Sequence, residues 1–250
     1  MTLHRFFACG PLPDEGALPL SPSDVHHIRD VLRLDAGDRI VVVNGTGAAV
    51  VRLTDVTGVV AGVRERALPV VEVPPVVLAQ AVPKGDRMEM VIRQATEVGV
   101  SRVIPFTSER CVVRMDSARA HAKAERWRRI AGEAAKQSQR TDVPEVSDPV
   151  SLAALPALLE GAVVLVCWED AGDARGIGQV LDGLDVAPDS VVAVVIGPEG
   201  GLSSGEVALL EAHGAWVVTL GATLLRTDTA GLIASALVLY ERGSLGGRRD

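Results

Sequence analysis

The sequence predicts an α/β protein in which a doubly wound parallel sheet follows a small β-rich domain. Three observations carry this. Continuous apolar runs rich in β-branched residues recur at Val76–Ala81, Arg102–Phe106, Val163–Trp168, Val191–Ile196 and Trp216–Leu220, the pattern of strands covered on both faces. Segments of helical periodicity separate these runs, and strand–helix alternation of this kind builds parallel sheets. Hairpin signals dominate before residue 73, and Val73-Pro74-Pro75 punctuates the change of pattern. The expected domains are therefore 1–73 and 74–250.

In the first domain, Arg39–Val43 and Ala48–Leu53 read as strands joined by Asn44-Gly45-Thr46-Gly47, a strong hairpin turn. Val59–Val63 and Pro69–Val73 are further short strands. Ser23–Leu32 predicts a helix capped by Ser23 or Asp24. Gly45-Thr-Gly47 resembles the start of a dinucleotide fingerprint, but it lacks the third glycine and opens a strand instead of a helix. We reject it.

In the second domain, Asp86–Val98 places Met88, Val91, Ile92, Ala95 and Val98 on one helical face. Ser117–Gln139 predicts a long Ala-rich helix with a basic flank that includes Lys123, Arg126, Arg128, Arg129 and Lys136. Ser203 and Glu206 are spaced as a capping box, Leu202 and Val207 as its hydrophobic staple, and Gly214 as the stop. The last helix, Thr229–Glu241, has Thr227 or Asp228 as its cap. It is apolar almost all round, which requires burial in the core or against a second subunit.

Composition restricts the function. The chain is 48% hydrophobic, enough for a sizeable core, and no apolar run reaches the length of a membrane span. The N-terminal residues do not form a signal peptide. Cys9, Cys111 and Cys167 have neither metal nor disulfide spacing, so we expect reduced thiols in a cytoplasmic protein. The net charge of −7 hides an asymmetry: Lys84–Arg140 holds 13 basic against 7 acidic residues, and Thr141–Gly221 holds 1 against 13. A basic face for nucleic acid and two solvated faces of opposite sign are both compatible with this distribution.

Chemistry concentrates in two stretches near the C-terminus. Val191–Ile196 ends in Gly197, Pro198, Gly200 and Gly201, and Trp216–Leu220 ends in Gly221 before a short loop enters the last helix. Loops at the carboxyl ends of neighbouring parallel strands form the crevice where open α/β sheets bind ligands. The crevice would offer backbone amides, Glu199, Arg226 and several hydroxyls, with Ile196, Leu220 and Leu225 flanking a base. That is a cofactor site in character. Neither a phosphate-binding loop nor a metal-ligand cluster is present. Gly201-Leu-Ser203-Ser-Gly205 has nucleophile-elbow spacing, which raises a serine hydrolase as a rival. The only later histidine, His213, stands on the same helix, ~15 Å away at ~1.5 Å rise per residue, so Ser203 is better read as a cap.

Ile196-Gly-Pro-Glu-Gly-Gly-Leu-Ser-Ser-Gly-Glu206 together with Leu220-Gly-Ala-Thr-Leu-Leu-Arg-Thr-Asp-Thr-Ala230 resembles the paired cofactor loops of the SPOUT methyltransferases, and among them the 16S ribosomal RNA (uracil-N3) methyltransferase family. Matching stretches run nearly end to end: His4-Arg-Phe-Phe7, Asp24-Val-His-His-Ile-Arg-Asp-Val-Leu-Arg33, Lys84-Gly-Asp-Arg-Met-Glu-Met90, Gln94-Ala-Thr-Glu-Val-Gly-Val100, Ser108-Glu-Arg110 and Glu133-Ala-Ala-Lys-Gln-Ser-Gln-Arg140. Departures are confined to Ala222-Thr223 and to Asp228, where glutamate is common in the family.

The resemblance implies a PUA-like β-barrel domain over 1–73 that helps to grip RNA. It also implies a SPOUT domain over 74–250 with a C-terminal trefoil knot. S-adenosyl-L-methionine would lie against Ile196, Gly197, Pro198, Gly200, Gly201, Leu220, Gly221, Leu224, Leu225 and Thr229. A homodimer would act on a uridine in the decoding region of the small ribosomal subunit, and no metal or membrane would take part. Arg5, His27, Arg29, Arg33, Lys84, Arg93, Arg110, Arg114 and Arg140 would contact RNA phosphates. Arg226 would stabilise negative charge on the uracil oxygens. Glu199 would either accept the N3 proton or hold its loop through backbone amides.

Overall fold

The computed structural model describes residues 3–45, 47–68, 73–112 and 116–246. The chain forms two compact units: Met1–Glu72 with Ala135–Val143, and Val73–Ala134 with Pro144–Asp250.

The first unit holds β1 (Arg5–Phe7), β2 (Glu15–Ala17), α1 (Pro22–His26), β3 (Arg39–Val43), β4 (Ala48–Asp55) and β5 (Ala61–Leu68). The strands run in the order β1-β3-β4-β5-β2, with β1 parallel to β3 and the other pairs antiparallel. The predicted hairpin is β3–β4, closed by Asn44 N–H on the Gly47 carbonyl at 3.0 Å. Alternate residues of β3 serve two apolar clusters. Ile40 and Val42 pack with Phe6, Ile28, Val51 and Leu53, while Val41 and Val43 pack with Ala48, Phe7 and Leu68. The strand expected at Pro69–Val73 falls largely on residues 69–72, outside the described residues.

The first helix differs from expectation. It starts at Pro22, is capped by Ser21 and continues as a π-helical turn over His27–Val31. Ser21 Oγ accepts from Asp24 N–H, and the buried Asp24 carboxylate takes the Lys136 ammonium. Asp24 Oδ2 also accepts from the Ser21 hydroxyl at 3.0 Å, so the carboxylate braces the cap from the third helical position instead of forming it. Within the same unit Arg5 Nη1 donates to the Arg140 carbonyl at 3.0 Å, which fastens the returning segment 135–143.

The second unit is the doubly wound sheet. Its elements are β6 (Val76–Ala81), α2 (Arg87–Val98), β7 (Arg102–Thr107), α3 (Ser117–Gln137), β8 (Glu145–Val146), β9 (Val150–Ser151), α4 (Leu155–Leu158), β10 (Val163–Cys167), α5 (Ile177–Asp182), β11 (Val192–Ile196), α6 (Ser204–Ala212), β12 (Trp216–Val218) and α7 (Thr227–Glu241). The sheet runs β12-β10-β11-β6-β7-β8, with β9 also on β7, and every pair is parallel. The five predicted strands are its body.

Alternate residues of β11 show why these runs carry no polar face. Val192, Val194 and Ile196 meet α2, α3, α5 and α7 through Met88, Ile92, Trp127, Val180 and Val238. Ala193 and Val195 face Leu155, Leu202, Val207 and Leu210 on the opposite side. Gly99 ends α2 in the left-handed region at φ 113°, as a glycine at that position does.

The last helix begins at Thr227, two residues before the predicted start, and its cap position is Arg226. Thr227 does not serve as the cap because its hydroxyl points across to another loop, described below. Ala234, Val238 and Leu239 lie in the core, whereas Ile233, Leu237 and Tyr240 remain 37–41% exposed. Burial within the chain therefore accounts for only one side of this apolar helix.

Candidate functional site

β10 lies between β11 and β12, so the two glycine-ended strands are not the neighbours expected; all three are parallel, and their carboxyl ends open on one side of the sheet. A cavity of about 490 Å³ opens there, lined by residues 167–169, 196–199, 201 and 219–227 with Arg87 and Ala230. That volume lies within the usual range of small-molecule pockets, about 300–1,000 Å³.

Thr227 Oγ1 donates to the Gly197 carbonyl and accepts from Gln80 Nε2, which also reaches the Ala81 carbonyl at 3.2 Å. This buried chain ties β6, the loop after β11 and the start of α7 together. Gly201 sits at φ 68°, and the space where a Cβ would project is already taken by Glu169, whose Oε1 lies 1.5 Å from that point. At Gly197 a Cβ would approach Leu202 N to 3.1 Å. Glycine at 197 thus lets the loop fold tightly on Leu202, and glycine at 201 leaves room for the Glu169 carboxylate. With apolar Ile196, Leu220 and Leu225 nearby, the wall suits the flat, partly apolar body of a nucleoside and the polar edge of its base.

Of the predicted cofactor residues, Ile196, Gly197, Pro198, Gly201, Leu220, Gly221, Leu224 and Leu225 line the cavity. Gly200 and Thr229 do not. Gly200 faces Arg110, whose Nη1 donates to its carbonyl at 2.8 Å, and Thr229 is exposed on the first turn of α7. Reading the sequence did not single out Cys167, Trp168, Glu169 or Arg87. The usable signal was the end of the Val163–Trp168 run, since any parallel strand beside β11 delivers its carboxyl end to the same place.

The charged groups divide sharply. Glu199 Oε1 accepts from Lys84 N–H at 3.0 Å and lies 3.4 Å from Arg87 Nη1, so it holds the loop before α2. Among the described residues the side chains of Arg226 and Glu169 have no hydrogen-bond or ion-pair partner, and both residues line the cavity. Burial pushes the Cys167 thiol up to about 12, so it carries no thiolate at neutral pH. Ser203 accepts from Glu206 N–H at 3.3 Å and donates its own N–H to Glu206 Oε2 at 2.9 Å, a capping box with no histidine in reach. His213 Nδ1 instead faces the Leu209 carbonyl. The hydrolase reading has no nucleophile–base pair to support it. Among the described residues no cluster of metal-ligating side chains occurs.

The predicted RNA contacts fall in both units. In the first, Arg29 is bound to the Val56 and Gly58 carbonyls, and Arg140 pairs with Asp142 at 2.6 Å. His27 packs edge-on against Phe6, and Arg33 is exposed in the left-handed region at φ 53°. In the second, Lys84, Arg93 and Arg110 are exposed. Arg114 lies outside the described residues. Several other cations of the basic stretch are paired, Arg126 with Glu89 and Arg128 with Glu125 and Asp148, so less free positive charge faces solvent than the count suggests.

Comparison with known proteins agrees with this geometry. Residues 71–239 match the model of the RNA methyltransferase domain family, and residues 20–58 match that of the RNA methyltransferase PUA domain. The chain is 34% identical to the Ribosomal RNA small subunit methyltransferase E of Bacillus subtilis, with 91% of each chain covered. It is 35% identical to the protein of the same name from Mycobacterium bovis, covering 93% of this chain and 90% of that one. The crystal structure of Ribosomal RNA small subunit methyltransferase E from Neisseria gonorrhoeae bound to S-adenosyl methionine superposes with a TM-score of 0.81 at 28% identity, covering 95% and 97% of the two chains.

Proposed function

The chain belongs to the RNA methyltransferase family, and on that basis we propose that it methylates small-subunit ribosomal RNA with S-adenosyl-L-methionine as donor, at N3 of a uridine. The observation that carries this reading is the glycine-walled cavity at the ends of β10, β11 and β12, with an unpaired arginine on its rim. The similar proteins from Bacillus subtilis and Neisseria gonorrhoeae support the class of substrate and of donor. No helix among the described residues is long and apolar enough to cross a membrane.

S-adenosylmethionine supplies an electrophilic methyl on a sulfonium sulfur. The loop of Gly197 and Gly201 would line its site, while Leu220 and Leu225 would cover the adenine. Arg226 performs the electrostatic work: the N3 proton of uracil ionises well above neutral pH, and losing it places charge on the two ring carbonyl oxygens. A permanent cation with several donors stabilises that charge. Glu199 fixes the neighbouring loop. Lys84, Arg93 and Arg110 lead the phosphate backbone toward the cavity. The same reading includes a trefoil-knotted course through the two loops, a homodimer closed over the exposed flank of α7, and action in the cytoplasm.

The test is methyl transfer from radiolabelled S-adenosylmethionine to small-subunit rRNA, followed by mass mapping of the modified nucleoside. A single 3-methyluridine is expected. A methyl group on another base, or on ribose, overturns the N3 assignment.

A further inference from the structure

Two carboxylates line the cavity, and they are not equivalent. Glu199 is engaged with Lys84 N–H and Arg87. Glu169, at the end of β10, has no partner among the described residues and extends into the volume that Gly201 leaves open. The other ionisable groups of the lining are Arg87, Arg226 and the neutral thiol of Cys167. We infer that Glu169 is the proton acceptor for the base that is methylated, with Gly201 kept as glycine to give its carboxylate room.

The inference rests on the methyltransferase reading above. In the step it describes, the N3–H proton of uracil passes to the Glu169 carboxylate. The electron pair left on nitrogen forms the N–CH₃ bond, and the pair of the broken C–S bond returns to sulfur. Arg226 and Glu169 then act as a complementary pair: the cation holds the charge that develops on the oxygens while the anion removes the proton that would prevent it. Afterwards Glu169, exposed on its outer side, returns the proton to water.

Glu169→Gln and Glu169→Asp separate this role from its alternatives. With wild-type protein turning over, Glu169→Gln should lower kcat by about 10²–10⁴-fold at neutral pH, the usual span for losing a general base. Its rate should then climb tenfold per pH unit toward the ionisation of N3, while the wild-type rate stays flat through neutrality. Glu169→Asp should keep the flat profile at reduced kcat. Calorimetry provides a readout independent of turnover, and both S-adenosylmethionine and S-adenosylhomocysteine should bind Glu169→Gln as they bind wild type. If only the sulfonium compound lost affinity, the carboxylate would be a partner of the positive sulfur and the inference would be wrong. Unchanged kcat and pH profile in Glu169→Gln would equally remove it. Absence of cofactor binding and methyl transfer in the wild-type protein would instead remove the methyltransferase reading itself.

Discussion

Thr227 Oγ1 donates to the Gly197 carbonyl across 2.5 Å, joining the start of the last helix to the loop that follows β11. Thirty residues separate the two in sequence, and the cavity wall depends on their meeting. The hydroxyl is also the acceptor for Gln80 Nε2 at 3.0 Å, so its removal leaves both the amide and the carbonyl without this partner.

Thr227→Val should therefore destabilise the second unit by about 1–3 kcal/mol, the usual cost of leaving buried polar groups unsatisfied. Denaturant unfolding measures this. Calorimetry should also show weaker binding of S-adenosylmethionine, because the wall loses its tie. A variant with unchanged stability would show the contact to be incidental.

Arg226→Ala should reduce turnover by about 10²–10³-fold, as expected when a preorganised donor to developing charge is deleted. Cofactor affinity should change little. Steady-state kinetics and titration on the same preparation decide this, and full turnover in the variant would discard the role assigned to the arginine.

Gly201→Ala should fail at the methyl-transfer step. The residue adopts φ 68°, and its added methyl would occupy the space of the Glu169 carboxylate. The backbone cost alone is about 1 kcal/mol, so the fold should persist with a modestly lower melting temperature. Turnover should fall because the carboxylate is displaced, binding of S-adenosylmethionine should change little, and full turnover would contradict the packing described.

Cys167 predicts an alkaline limit to stability. Its thiol is raised from 9.0 to about 12 by burial, so in the folded protein it keeps a proton that the unfolded chain releases. The stabilisation is fully present below about pH 9 and is lost as pH rises toward about 12. Unfolding free energy should decline over that window more steeply in wild type than in Cys167→Ala. At pH 8 the exposed Cys9 should alkylate quickly and Cys167 slowly.

Arg93→Glu and Arg110→Glu should weaken RNA binding and flatten its dependence on salt, since each neutralised phosphate contributes about one unit of slope. Filter binding at several salt concentrations measures both. Arg110→Glu should show an additional loss of cofactor affinity, because the native guanidinium also holds the Gly200 carbonyl.

Much of the second unit was legible because its strands are buried on both faces and so read as unbroken apolar runs. The paired loops were equally visible, since glycines after such runs have few structural alternatives. Strand order was not, because nothing in the Val163–Trp168 run states that it lies between Val191–Ile196 and Trp216–Leu220. That hid the contribution of Trp168 and Glu169 to the cavity. β1 and β2 escaped notice because three-residue strands are too short to show a period. The misplaced caps have different causes. Asp24 sits three residues inside the true cap, Ser21, and bonds to it as well as to Lys136, whereas Thr227 is drawn to the Gly197 carbonyl, which local spacing does not reveal.

The recruitment of Ala135–Val143 into the first unit bears on how the chain is made. Arg5 and Asp24 leave the synthesis machinery long before the Arg140 carbonyl and Lys136 ammonium that engage them. A nascent chain halted near residue 100 would hold every strand of the first sheet yet lack the segment that completes its packing. Proteolysis of such stalled chains should find this sheet still vulnerable, and resistance should rise only after residue 143 has emerged.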